Sequence, residues 1–304
     1  MTATSETPGA AMPPQVQALH DAHAMTHHLR QRLRAAIFGR DDVIDLVLVA
    51  LLADGHVHLE DYPSDITGTS IFDVNAGTFA FKRGPVFAHV VLADEINRTS
   101  PKVQSALLEA MAEKQVTVDD TSHGLDTLFF VIATQNPLDL AGTYPLPSPQ
   151  LDRFLFKITM RHVPREAELA LLDRYPVTSL DRAAALPGVS RMHILAARQA
   201  IRAGIAVAPL LREALVDLAG ALRADPRVLQ GASTRSLLLA LPALQARALL
   251  HGRDYVGPED LDALAGPIFQ HRLVLAAGTD DPARVVRDAL GPQLERLARE
   301  SLRR

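Results

Sequence analysis

The chain contains no cysteine, which excludes disulfides, thiolate metal sites and cysteine nucleophiles together. It also lacks a long apolar run. The longest, Val43 to Ala53, is interrupted by Asp45 and is too short to cross a bilayer. Charge of one sign is not in excess: a net charge of −4 over 304 residues calls for neither nucleic acid nor an anionic membrane. The N-terminus is polar and rich in Pro and Ala, without the basic-then-apolar pattern of a secretory leader. A cytoplasmic protein is therefore expected.

What is present is ordinary for a globular protein, with 48% hydrophobic and 22% charged residues over a length that suits two domains. The most informative stretch is Val90-Val91-Leu92-Ala93-Asp94-Glu95-Ile96-Asn97. Its apolar run predicts a buried parallel strand, and the two carboxylates stand at its C-terminal tip, where open α/β sheets bind ligands. Asp94 suits Mg²⁺ held through waters and Glu95 suits polarising an attacking water. A solvated acidic turn would explain the same residues.

Before this strand, residues up to about Gln15 lack periodicity and read as a mobile arm. A helix is expected over Ala18 to Ile37. Asp41 and Asp42 are expected to cap a buried helix over Val43 to Leu52, followed by a short strand over His56 to Glu60. Asn75-Ala76-Gly77 marks a hairpin within Ile71 to Phe81. After the acid tip, Ser100-Pro101 opens a helix with Val103, Leu107 and Met111 on one face. A second small hairpin is expected from Gln115 to about Leu125. Leu128 to Ala133 reads as another buried strand, leading into Thr134-Gln135-Asn136-Pro137, and Arg153 to Ile158 as a further one. From about Arg165, Ala, Leu and Arg dominate and the pattern is helical throughout. Pro242 is expected to kink one of these helices.

Three strand tips thus face one crevice: Glu60, Asp94 with Glu95, and Thr134 with Asn136. Asn136 suits orienting a water or a terminal phosphate, or a turn before proline. Arg153 suits stabilising phosphoryl charge in trans, or a surface ion pair. Arg235, just after Ser233-Thr234, suits a phosphate across a cleft, or an acid. His56 and His58 share a strand face, which would let two imidazoles hold one ion in a metal-dependent hydrolase. Packing and surface hydrogen bonding are the commoner role for such a pair.

Long motifs carry a resemblance. They include Ser64-Asp65-Ile66-Thr67-Gly68, Ala93-Asp94-Glu95-Ile96-Asn97-Arg98 and Gln104-Ser105-Ala106-Leu107-Leu108-Glu109-Ala110-Met111. Ala133-Thr134-Gln135-Asn136-Pro137, Gln150-Leu151-Asp152-Arg153-Phe154, Gly231-Ala232-Ser233-Thr234-Arg235 and His271-Arg272-Leu273 continue it. Over roughly 35–275 the sequence resembles the MoxR family of AAA+ ATPases, in the clade related to magnesium-chelatase motor subunits. The resemblance implies an α/β fold, an AAA+ P-loop-type αβα core with a parallel sheet, followed by an all-helical C-terminal lid. The expected division is 1–28 for the arm and start of the first helix, 29–165 for the core and 166–304 for the lid. It further implies ATP and Mg²⁺ as cofactors, with Asp94 and Glu95 as Walker B, Asn136 as sensor 1, Arg153 as arginine finger and Arg235 as sensor 2. A homo-oligomeric ring, hexameric in the family, and a partner carrying a von Willebrand factor A domain are implied too. So is chaperone-like remodelling or cofactor insertion.

One element of the family pattern is missing. No G-x-x-x-x-G-K-[ST] motif occurs anywhere, and no lysine precedes Lys82. Leu59-Glu60-Asp61 passes through Tyr62-Pro63 straight to Ser64, so the core is expected to lack the phosphate loop, its helix and one edge strand. That loss is expected to expose apolar surface on one face of the sheet and to weaken or abolish hydrolysis. The alternative function is then a nucleotide-incompetent structural subunit or scaffold.

Overall fold

The computed structural model describes residues 12–37, 39–59, 69–73, 78–82, 84–118, 121–135, 144, 146–160, 162–174 and 188–301. Its centre is a parallel sheet of four strands: β1 (Val57–Leu59), β4 (Val90–Ala93), β7 (Phe130–Thr134) and β8 (Phe156–Ile158), in the order β4-β7-β1-β8. Two antiparallel hairpins lie outside it. The first pairs β2 (Thr69–Asp73) with β3 (Thr78–Lys82), as the Asn-Ala-Gly signal predicts; its turn lies outside the described residues. The second pairs β5 (Gln115–Val118) with β6 (Thr121–Gly124).

Helices cover the sheet unequally. On one face lies α3 (Pro101–Glu113), started as expected by Ser100, whose Oγ accepts the Val103 N–H. Leu107, Leu108, Ala110 and Met111 from α3 pack with Val91, Ala93, Phe129, Val131 and Ala133. On the other face α2 (Asp41–Leu52) buries Ile44, Leu48, Val49, Ala50, Leu51 and Leu52. Asp41 and Asp42 occupy its first turn, where negative charge suits the helix dipole; Arg40, not either aspartate, is the N-cap residue.

This second face is continuous with the helical half. A short helix α4 (Ser148–Leu151) precedes β8 in the core, and the helical half contains α5 (Arg165–Arg174), α6 (Arg191–Gly204), α7 (Pro209–Ala224), α8 (Thr234–Leu250), α9 (Pro258–Phe269) and α10 (Pro282–Ser301). The first helix, α1 (Pro14–Ala36), packs on α6 so closely that a Cβ on Gly204 would stand 2.6 Å from Leu19 Cδ1. α8 continues through Pro242. The helical half also holds a two-stranded antiparallel sheet of β9 (Val228–Gln230) and β10 (Val274–Leu275). Runs of three and two residues are too short to show an alternating pattern.

β4 departs from the expectation of a fully buried strand. It is the edge of the sheet, and Val91 and Ala93 are buried while Val90 and Leu92 are 54% and 62% exposed. Successive side chains alternate faces. The face toward α3 is therefore filled, and the opposite face of β4 has no helix over it among the described residues.

Candidate functional site

β4 and β7 are neighbours with Ala93 opposite Ala133, so Asp94 and Thr134 emerge together at the C-terminal ends of adjacent strands. The Thr134 hydroxyl donates to Asp94 Oδ1 at 2.6 Å and accepts the Glu95 backbone N–H at 2.8 Å. Glu95 sits at φ +40°, a left-handed conformation that is uncommon for a residue with a Cβ. The bond to Thr134 holds it there and ends the strand. Asp94 remains half-buried, with a carboxylate of the type that suits a hydrated Mg²⁺.

Glu95 is otherwise engaged. Its side chain is 1% exposed, and Arg98 Nε approaches Glu95 Oε2 to 2.7 Å across the short 3-10 turn Ile96–Arg98. The contact is an ion pair whose angles lie outside hydrogen-bond geometry, and neither carboxylate oxygen takes a hydrogen bond. Gln104 fixes this turn from α3. Its Nε2 donates to the Ile96 and Tyr144 carbonyls at 3.0 and 2.9 Å, and the Tyr144 N–H donates to Asn97 O at 2.6 Å. Gln104 is thus a positioning residue of the candidate site. Its signal is a polar residue on the same helix face as Leu107 and Met111.

The remaining expected residues divide. Glu60 and Asn136 lie outside the described residues. Arg153 stands in a turn before β8 rather than at the strand's start, and its Nη1 donates to the Leu108 carbonyl of α3 at 2.7 Å. Arg235 is exposed in the first turn of α8, and its charge reaches Arg272. Ser233, the N-cap of that helix, donates to Asp152 Oδ2 at 3.0 Å.

Arg272 makes the junction between sheet and helical half. It is 4% exposed; its Nε donates to Asp152 Oδ1 at 2.7 Å and its Nη2 to Phe154 O at 2.6 Å. Nη1 donates to Leu155 O at 3.2 Å and to the Ile268 carbonyl. Burial draws its proton affinity below the ordinary arginine value, Asp152 opposes this, and Arg235 adds to it. Asp152 is thereby held one residue from Arg153. Periodicity does not mark Arg272, because its partners across the junction, Asp152, Phe154 and Leu155, lie about 120 residues away.

His56, just before β1, and His58 within it are placed differently from a metal pair. His56 Nδ1 accepts the Val131 N–H at 3.1 Å and its Nε2 faces Met111 O at 3.2 Å, so both nitrogens are taken by the backbone. Burial holds its pKa at about 4. His58 is wholly buried against Phe154; burial and the Lys157 charge hold it at about 3. Among the described residues no three His, Cys, Asp or Glu side chains group as a metal site. No helix among them is long and apolar enough to cross a membrane.

Comparison with known proteins gives consistent matches. The profile of the ATPase family associated with various cellular activities (AAA) matches residues 58–156, and that of the AAA lid domain matches 220–291. An uncharacterised Bacillus subtilis protein, YeaC, is 37% identical over 289 residues, covering 84% of this chain and 88% of the relative. Chaperone MoxR1 of Mycobacterium tuberculosis is 34% identical, covering 80% of this chain and 74% of its own. A Cytophaga hutchinsonii protein, whose crystal structure at 2.00 Å was described as that of a candidate ATPase, superposes with a TM-score of 0.81. It is 31% identical, with 91% of this chain and 96% of that one covered.

Proposed function

Since the chain belongs to the MoxR family of chaperone-like AAA+ ATPases, we propose that it is an internally shortened member with weak or absent ATP turnover, serving as a structural subunit of a remodelling assembly. The observation that carries this reading is the passage from Leu59-Glu60-Asp61 to Ser64 without a Gly-Lys-[Ser/Thr] loop, in a sequence that keeps the family's other motifs. A phosphate loop supplies converging backbone N–H groups, a lysine for the β/γ charge and a hydroxyl for the metal. Nothing before Lys82 replaces the lysine.

Further support comes from the relatives. The alignment with the Bacillus protein spans 289 positions but draws on only 84% of this chain's 304 residues, so some tens of the relative's residues have no counterpart here. The uncovered face of β4 is consistent with a lost strand and helix. The family uses nucleotide and Mg²⁺ in general, and Asp94 keeps the donor chemistry for a hydrated cation. The phosphate cradle is not there to match it, so the residues present do not fit tightly held Mg-ATP. Glu95, paired with Arg98, is not free to orient a water.

AAA+ proteins usually assemble as rings. Arg153, at the finger's place in the motif, supports a homo-oligomeric ring for this chain, hexameric as in the family. A partner with a von Willebrand factor A domain and a cytoplasmic setting complete the proposal. The direct test is nucleotide affinity and turnover of the purified chain. Micromolar ATP binding with ordinary hydrolysis would overturn it.

A further inference from the structure

A second charged site lies at the opposite end of the sheet from Asp94 and Thr134. α2 reaches β1 through Asp54, which stands just before the strand at φ +59°. Three cations converge on its one carboxylate. Lys114 Nζ contacts Asp54 Oδ1 and Oδ2 at 2.8 and 3.0 Å, Arg198 Nη1 contacts Oδ1 at 2.6 Å, and Arg202 Nη2 lies 3.8 Å from Oδ2. Together with Thr127 and Gln199 these residues line an open pocket of about 530 Å³.

The charges do not balance. Three positive groups face one negative group, leaving two positive charges over at the pocket. Arg198 is the informative member, being only 5% exposed. Its Nε donates to Leu51 O at 2.9 Å and its Nη1 to Asp54, but its Nη2 is buried with no hydrogen-bond partner. A buried guanidinium with one arm of its fork unused is costly unless that arm meets an acceptor. Lys114 is further anchored by donating to Thr127 O at 2.8 Å, so the cations are held in place before any ligand arrives.

We propose that this pocket binds a small, doubly charged oxyanion of the phosphate type, independently of the Asp94 tip. Arg202 would meet the anion at the rim, with the charges of Arg198 and Lys114 behind it. Planar guanidinium groups suit this recognition, and a preformed cluster carries little ordering cost.

The test uses the full chain and inorganic phosphate, titrated calorimetrically at constant ionic strength held with chloride. Saturable one-site binding is expected. Arg202→Glu, at a side chain 60% exposed and therefore safe for folding, should weaken it by about tenfold or more, the worth of one charge-assisted contact. Arg235→Ala should leave it unchanged. Three results would overturn the proposal: heat no greater than for chloride alone, undiminished affinity in Arg202→Glu, or loss of binding in Arg235→Ala.

Discussion

The Thr134 hydroxyl bridges the side chain of Asp94, at 2.6 Å, and the backbone N–H of Glu95, at 2.8 Å. It serves as donor to one neighbour and acceptor to the next. The bond keeps the acid tip in place even though the usual phosphate loop is missing. Thr134→Val keeps the shape and removes both bonds, leaving the Glu95 N–H buried without a partner. The expected loss is about 1–3 kcal/mol in urea-induced unfolding, with Thr134→Ser recovering most of it.

Arg272 is expected to hold the helical half on the sheet. Arg272→Ala removes the bonds to Asp152, Phe154 and Leu155 together. A buried pair broken on one side typically costs about 3–5 kcal/mol. Arg272→Lys should recover only part, because an ammonium cannot fork to several carbonyls. Equilibrium unfolding followed by both far-ultraviolet circular dichroism and limited proteolysis measures the loss and locates where the chain opens.

Stability should fall on acidification. His56 and His58 are held at about 4 and 3, below the ordinary histidine value of 6.5. Below pH 6.5 the unfolded chain takes up protons that the folded chain refuses, so folding is fully supported above that pH. The support is lost as the pH falls toward the folded values. Each buried histidine should contribute a slope of about 1.4 kcal/mol per pH unit in this window. His58→Leu, at a side chain whose ring nitrogens make no well-formed hydrogen bond, should flatten that slope between pH 6 and 4.5. An unchanged slope would show that His58 is not neutral in the fold.

Leu92 offers a test of the uncovered face. At 62% exposed it contributes little to folding, so Leu92→Lys should change stability by less than about 0.5 kcal/mol. The same substitution should reduce binding of a hydrophobic dye and any self-association seen by sedimentation. Apolar patches of this kind drive both.

Local signals made much of this legible. Ser100-Pro101 starts α3 where a cap and a first-turn proline predict it, and Asn75-Ala76-Gly77 marks the β2–β3 hairpin. The parallel sheet followed by helices could be read from periodicity and motif together. The exposure of Val90 and Leu92 was not legible in their own residues, since four apolar side chains look alike whether one face or two are covered. It depends on what packs over that edge of the sheet, which a single strand's residues do not encode. The engagement of Arg153 with the Leu108 carbonyl, and of Glu95 with Arg98, depends on how turns aim side chains. Arg272 joins residues far apart in sequence, and periodicity carries no information at that range.

In the proposed reading the acid tip survives without a working nucleotide site. Calorimetric titration of the purified chain with Mg-ATP, paired with steady-state phosphate release, addresses it most directly. No micromolar binding is expected, and no turnover above that of a Glu95→Gln control. Micromolar affinity with phosphate release that Glu95→Gln abolishes would contradict it.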